Sequence, residues 1–372
     1  MEGSGILFIV LLIIYLFDCL TLGRSDCFFF RRLLGGDWIQ ISPKSFPIFS
    51  YYAVLFKGLL PSIGSVALSP RFPFSVTASA LGSNDIATAA FRPSALIQTQ
   101  FHDLRQVSCD GKSVLGDGRV LAHAASEPYA QWLVSVIDKI QKSPVHEREA
   151  EIERQVAQTF DIEAVARRRA ECEEAVSMLR PTSLVLATLL FLIAPSITSV
   201  WGILRVWPLL LSMVFGNSLL VAFLFWKAHQ RIYPSFVASR ITTSVTLFLS
   251  PPAAIRAEDL ISKDAFCAWH PLAIASTLCN RATASKLAEQ VLRETLFTGR
   301  LGAVPATCDH WHSVTLCHLD RAISRLGLKK SKLLRAPVRQ SARCTHYCPR
   351  CLSQYTGNFE LCSDCFVGLS SF

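Results

Sequence analysis

Two long blocks of this sequence carry almost no charge. From Pro181 to Leu204 the chain runs 24 residues without a charged side chain, Arg205 interrupts, and 21 further uncharged residues run from Val206 to Trp226. Each block suffices for the ~30 Å hydrocarbon core of a bilayer, which takes about 20 helical residues. Trp201 and Trp207 flank Arg205, and Trp226 closes the second block, where interfacial aromatic belts are expected. The pattern predicts a transmembrane helical hairpin over 181–226. A buried hairpin of a large soluble protein is the alternative, disfavoured because soluble helices keep a polar face. Pro208 suits the first turn of the second helix, whereas Pro195 would kink the first and free a carbonyl that a hydroxyl or neighbouring helix must satisfy. Arg167, Arg168, Arg169, Arg180, Lys227, Arg231 and Arg240 flank the hairpin against Arg205 alone in its turn, so both flanks are expected to be cytoplasmic.

A third apolar run, Ile6 to about Leu22, has Glu2 and no basic residue on its amino side, unlike a secretory signal. Arg24, Arg31 and Arg32 follow it. Residues 1–23 therefore read as a signal anchor with its start outside, cleavage being the alternative. Residues 24–105 hold few acids and show no period of two or 3.6. They are expected to be poorly ordered, membrane-associated through Tyr51, Tyr52, Leu55, Phe56, Leu59 and Leu60, or an upstream extension outside the native protein.

Patterned segments follow. Asp110-Gly111 and Asp117-Gly118 punctuate short apolar pieces, which predicts a small β-hairpin or meander. Ser126 and Pro128 open a helix to about Gln141, with Trp132, Leu133, Val136, Ile137 and Ile140 along one face. Residues 146–180 are strongly charged, with Ile152, Val156 and Phe160 at helical spacing and Asp161 placed to cap a second helix after a break. Their glutamates read as a solvated face, since no Glu-x-x-His pair accompanies them. Together, 106–180 form a cytoplasmic β-hairpin plus helices. Val237, Ile241, Val245 and Phe248 predict an interfacial helix or half-membrane element within 227–252, ended by Pro251-Pro252. Helical pieces near 256–268, 271–280, 283–297 and 309–327 make 253–327 a cytoplasmic helical domain. The fold class is mainly α, a multi-pass membrane protein.

Composition agrees. Of 372 residues, 51% are hydrophobic and 17% charged, against about 25% charged in an average soluble domain. The mean hydropathy is +0.35. A disordered chain is ruled out, and an ordinary soluble enzyme is disfavoured. Thirteen cysteines are far fewer than the roughly 8–10% of a disulfide scaffold. A net charge of +9 favours anionic neighbours.

The strongest chemical signal closes the chain: Cys348-Pro-Arg-Cys351, ten residues, then Cys362-Ser-Asp-Cys365. Each short loop brings two sulfurs to one side of an ion, ~2.3 Å from each. With Gly357 turning the chain between them, residues 344–372 resemble a zinc-ribbon or rubredoxin-like module. Leu352 and Phe366 stand where a glycine often follows each knuckle. The resemblance implies structural zinc on Cys348, Cys351, Cys362 and Cys365, and an interaction module for proteins or nucleic acids. Iron and a pair of disulfides are the alternatives, and Cys344 or His346 could replace one ligand.

A weaker cluster runs Cys308-Asp309-His310-Trp311-His312 and Cys317-His318. It is the basis of an alternative function, a membrane-embedded metal- or thiol-dependent enzyme or a transporter accessory. Between the clusters, 321–343 carries Arg321, Arg325, Lys329, Lys330, Lys332, Arg335, Arg339 and Arg343 and no acid, with 328–343 as a basic linker. Anionic lipid head groups are its expected partner, at up to ~1 kcal/mol per basic residue. Nucleic acid ranks second, because no groove-reading motif accompanies the run. No phosphate loop, HExxH or Ser/His/Asp arrangement appears, which leans against catalysis. The favoured function is a membrane-anchored adaptor or regulatory protein at the cell membrane, its ribbon engaging a cytoplasmic protein partner.

Overall fold

The computed structural model describes residues 5–6, 8–15, 27–31, 38–41, 65–68, 74–83, 97–124, 126–262, 264–297, 310–357 and 359–372. They group into two compact units, Met1–Pro70 with Ala166–Phe266, and Arg71–Val165 with Cys267–Phe372. The chain is mainly helical. One β-hairpin element is predicted by the pattern, yet the described residues hold four three-stranded sheets. The reason is length: strands of two to five residues are too short to show an alternating period.

In the first unit the uncharged blocks form two helices, Leu179–Trp201 and Ile203–Ile232, both long and apolar enough to cross a membrane. Only 39% and 22% of their most apolar stretches are buried. Leu184, Leu192, Val200, Leu204, Leu209, Leu219 and Phe223 all stand exposed. Gly202 alone separates the helices, at φ 77 and ψ 141, a left-handed conformation that a residue with a Cβ resists. Trp201, Arg205 and Trp207 are exposed around this turn. Pro195 leaves its mark as a π-turn at Leu189–Ile193, directly before the helix resumes at Ala194. Hydroxyls take up carbonyls there, Ser196 Oγ donating to Leu192 O at 2.7 Å and Thr198 Oγ1 to Ala194 O at 2.8 Å.

Two further helices pack against this pair, and a small sheet belongs to the same unit. Residues 8–15 are helical, with the Phe8 and Tyr15 rings 6.1 and 5.4 Å from that of Phe191. Val237–Leu249 runs antiparallel to the second apolar helix, Arg240 lying 5.5 Å over the Trp226 ring and Phe248 6.0 Å from Phe215. Its residues Val237, Ile241, Val245 and Leu249 form an exposed apolar stripe at helical spacing. Cys27–Arg31 pairs antiparallel with both Trp38–Ile41 and Ser65–Leu68, burying Phe29. The membrane-associated reading of residues 51–60 lies outside the described residues.

Charged groups gather at the open end of the helical pair. Arg180 grips Glu258 in a bidentate pair, Nε at 3.1 and 3.2 Å and Nη2 at 2.6 Å. Arg256 and Asp259 pair at 2.7 Å with both side chains buried. Arg240 is buried and donates to the carbonyls of Tyr233 and Pro234 at 3.2 and 2.9 Å. Arg168 Nη2 donates to Ile232 O at 3.0 Å, so cations satisfy the end of the second helix, where its dipole is negative. Arg231 bonds Glu174 at 2.6 Å, which holds that exposed carboxyl below the usual carboxylate range.

The second unit opens with the sheet Phe74–Val76, Ala80–Ser83 and Ile97–Gln100, followed by a meander of Val107–Asp110, Ser113–Gly116 and Arg119–His123. Asp117 and Gly118 turn the meander with φ 49 and 78, the primed turn that an Asp-Gly pair announces. Asp117 also accepts the Arg105 and Gln106 amides at 3.0 and 2.9 Å, and those two bonds hold its carboxyl low. The helix Glu127–Lys142 buries Tyr129, Ala130, Leu133, Val136, Ile137 and Ile140. Beyond it come Arg148–Thr159 and Ile162–Val176, the latter passing into the first unit at Ala166; they are separated where expected, with Asp161 Oδ1 capping the Ala164 amide at 2.9 Å. Pro271–Leu278, Arg281–Leu296 and His310–Arg325 complete the core, in which Ile152, Leu272, Ala288, Leu292, Leu319 and Ile323 meet.

Candidate metal centre

Four cysteines lie close together at the carboxyl end. The sulfurs of Cys348, Cys351, Cys362 and Cys365 are all within 4.8 Å of one another, and Cys351 to Cys362 measures 3.7 Å. A regular tetrahedron with ~2.3 Å arms has edges of ~3.8 Å, so the separations suit a single ion. All four are free thiols, which removes the paired-disulfide alternative from this structure.

Local backbone makes the cluster, and makes it twice. Strand His346–Tyr347 delivers Cys348, whose amide donates to Ser353 O at 2.8 Å while the Leu352 amide returns to Cys348 O at 2.9 Å. In the second knuckle the Cys362 amide donates to Val367 O at 2.9 Å and Phe366 to Cys362 O at 2.9 Å. Amides of Cys351 and Cys365 point at the sulfurs of Cys348 and Cys362, at 3.5 and 3.4 Å. Such N–H···S contacts favour the charged sulfur. The Tyr355 hydroxyl adds a contact to Cys362 Sγ at 3.1 Å. Leu352 and Phe366 adopt φ 65 and 54. They take the left-handed geometry for which the resemblance calls for glycine, at a cost of ~1–2 kcal/mol each. Phe366 is 47% exposed, so its side chain repays little of that cost. Phe366→Gly is therefore expected to raise the stability of the metal-loaded chain by up to about 1 kcal/mol, after the extra freedom of glycine in the unfolded chain is counted. Denaturant unfolding with metal present checks this, and an unchanged or lower midpoint would count against it.

Electrostatics ask for a cation. The hydrogen bond with Cys348, helped by Ser353, brings Cys351 down to about 4. That same bond, with burial, pushes Cys348 up, and burial with the Cys351 contact pushes Cys365 up to about 12. Burial and mutual contact thus oppose ionising all four thiols together, and a bound cation removes that opposition. Among the described residues no other thiols form such a group, and burial pushes Cys172 up to about 11 and Cys279 up to about 12.

Hydrophobic burial is meagre around the cluster. Cys348, Cys362 and Val367 are its buried members, with Phe297, Tyr355, Cys365 and Leu369 packed against them. Chains below ~40 residues with so small a core generally need a metal or disulfides to fold. Four sulfurs fill a tetrahedral shell, so an ion held here is structural, with no open position for a substrate.

Cys344 and His346 stand outside the cluster. Cys344 is buried upstream, and His346 Nδ1 meets Thr345 Oγ1 at 2.9 Å. No family model, curated sequence or solved structure matches this chain. Of the weaker cluster, Cys308 and Asp309 lie outside the described residues, while His310, His312, Cys317 and His318 fall on the helix His310–Arg325. None of these four joins a candidate metal group among the described residues. Trp311 packs edge-on to Trp132 at 6.5 Å, and the His318 ring stacks on Phe160 at 5.8 Å. Burial, with Arg321 near it, holds His318 below the ordinary histidine range. Sequence reasoning missed one buried group beside the centre, Arg293, which bonds Pro349 O within the first knuckle at 2.9 Å. Nothing in the local sequence marks it, since the two residues are 56 positions apart.

Proposed function

We propose that this chain is a multi-pass protein of the cell membrane acting as an adaptor or regulatory protein, with its main soluble parts cytoplasmic. Its zinc ribbon, residues 344–372, engages a cytoplasmic protein partner. The observation that carries the reading is the four-sulfur cluster on paired knuckles, closed to substrate and suited to holding a small surface in one shape. Zinc is its ion in this reading, as a structural cofactor.

Membrane insertion is supported by the exposed apolar surface of the two long helices, and by the Trp201, Arg205 and Trp207 turn. Residues 8–15 add a third helix against Phe191. Tyr15 lies 6.0 Å beneath Arg256, which belongs to the charged end near Arg180 and Glu258, in keeping with an anchor whose start is outside. The basic residues of 321–343 meet anionic lipid head groups. All eight are exposed, and Lys330 alone has an ion pair, with Asp320 at 2.8 Å, among the described residues.

The test uses the full chain with an epitope tag after Phe372. Zinc near one atom per detergent-purified chain, a tag reached by antibody only after cells are permeabilised, and a crosslinked partner lost in Cys348→Ser but kept in Cys317→Ser are expected. A tag accessible from outside would overturn the topology. A partner indifferent to Cys348 would overturn the adaptor role of the ribbon.

A further inference from the structure

The ribbon is built into the helical core beside it by one buried cation. Arg293, on the helix Arg281–Leu296, is 2% exposed. Its Nε donates to Glu289 at 3.1 Å, Nη1 to Pro349 O at 2.9 Å, and Nη2 to Leu333 O and Arg335 O at 2.7 Å each. One side chain thus joins the first cysteine knuckle to the basic segment. Phe297, one helical turn further on, packs against Cys348, Cys362 and Val367. At the other end of the segment, the Gln354 side chain donates to Val338 O at 2.8 Å and accepts the Gln340 amide at 2.9 Å. Gln354 sits in the ribbon's strand Gln354–Tyr355, and Arg339 lies 4.9 Å over the Phe372 ring.

Residues 335–339 have no helix or strand of their own. Their path is set at both ends by groups whose positions depend on the ribbon. A knuckle that opens withdraws the Pro349 carbonyl from a buried guanidinium, which then seeks other acceptors or water. We infer that metal occupancy at the four cysteines governs the shape of the adjoining basic segment, so that Arg335, Arg339 and Arg343 meet an anionic bilayer as a fixed surface only when the ion is bound. This inference rests on the lipid reading of 321–343 given above. The three arginines are exposed, and no acid lies between residues 321 and 343, so the charge complement is an anionic surface. Arg293 is a positioning residue here.

The experiment follows trypsin cleavage after Arg335 and Arg339, relative to Arg119, in full-length protein reconstituted in phosphatidylcholine with or without phosphatidylserine. In the metal-loaded chain cleavage is expected to be slow, and slower with phosphatidylserine. Chelation should accelerate it by about tenfold or more, as the segment opens, and abolish the lipid effect. Arg293→Ala should reproduce fast cleavage with the metal still bound. Gln354→Ala, at a half-exposed position, should speed cleavage after Arg339 more than after Arg335. If chelation and both substitutions leave the rates unchanged, the coupling is wrong. If chelation accelerates cleavage but phosphatidylserine never protects, the coupling stands and the lipid partner is wrong. A chain that binds no metal overturns both.

Discussion

Replacing Cys348 and Cys351 together by serine is expected to abolish metal binding and unfold residues 344–372. A structural zinc site contributes apparent binding energies of ~10–16 kcal/mol at neutral pH in small zinc-finger peptides, whereas the buried core of this module is Cys348, Cys362 and Val367. Two of those three belong to the four-cysteine cluster itself, so apolar burial cannot take over when an ion there is lost. Elemental analysis should fall from one ion per chain to none, and amide protection across 344–372 should collapse. Cys344→Ser and Cys317→Ser are the controls: one thiol is buried and the other exposed, and neither belongs to the cluster. Metal retained by the double variant would sink the site assignment.

The second large effect concerns the ion pair between Arg180 and Glu258, and it should be asymmetric. The Glu258 side chain is 4% exposed and that of Arg180 32%. Removing the arginine takes the bidentate partner from a buried carboxylate, a loss of up to about 3–5 kcal/mol for a buried pair. Removing the glutamate leaves a long side chain that can turn its head toward water, at a smaller cost. Thermal unfolding in detergent should therefore rank Arg180→Ala well below Glu258→Ala. The apolar double variant Arg180→Met with Glu258→Leu should recover most of the loss, because the desolvation penalty goes with the charges. Equal losses from the two single variants would contradict this account.

Short-range chemistry was legible in the sequence. Asp161 between two apolar stripes, Asp117-Gly118 at a hairpin, Pro195 inside an apolar helix and two CxxC pairs each act through neighbours within a turn or two, and each appears at its place. What stayed hidden acts at a distance. Arg180 and Glu258 are separated by 78 residues, and Arg293 reaches Pro349 across 56. An arginine bound for a carbonyl looks, in sequence, like an arginine bound for solvent. The strands before residue 101 escaped for a different reason, since their few residues pair by backbone bonds that do not depend on side-chain type. Leu352 and Phe366 stood out as departures from a glycine pattern, yet only the backbone angles reveal that the turn was kept and the residue changed.

The two apolar helices are of unequal length, 23 and 30 residues, and share one turn at Gly202. At 1.5 Å per residue they measure about 34 and 45 Å. A bilayer core of ~30 Å would nearly absorb the first and leave the second protruding by roughly 10 Å or more at its carboxyl end. That overhang carries Arg231 and Ile232, which Glu174 and Arg168 grasp from the helix Ile162–Val176. In the membrane reading the second helix is thus a post standing proud of the lipid, and the preceding charged helix is braced to its top, stiffening the junction where the chain leaves the bilayer.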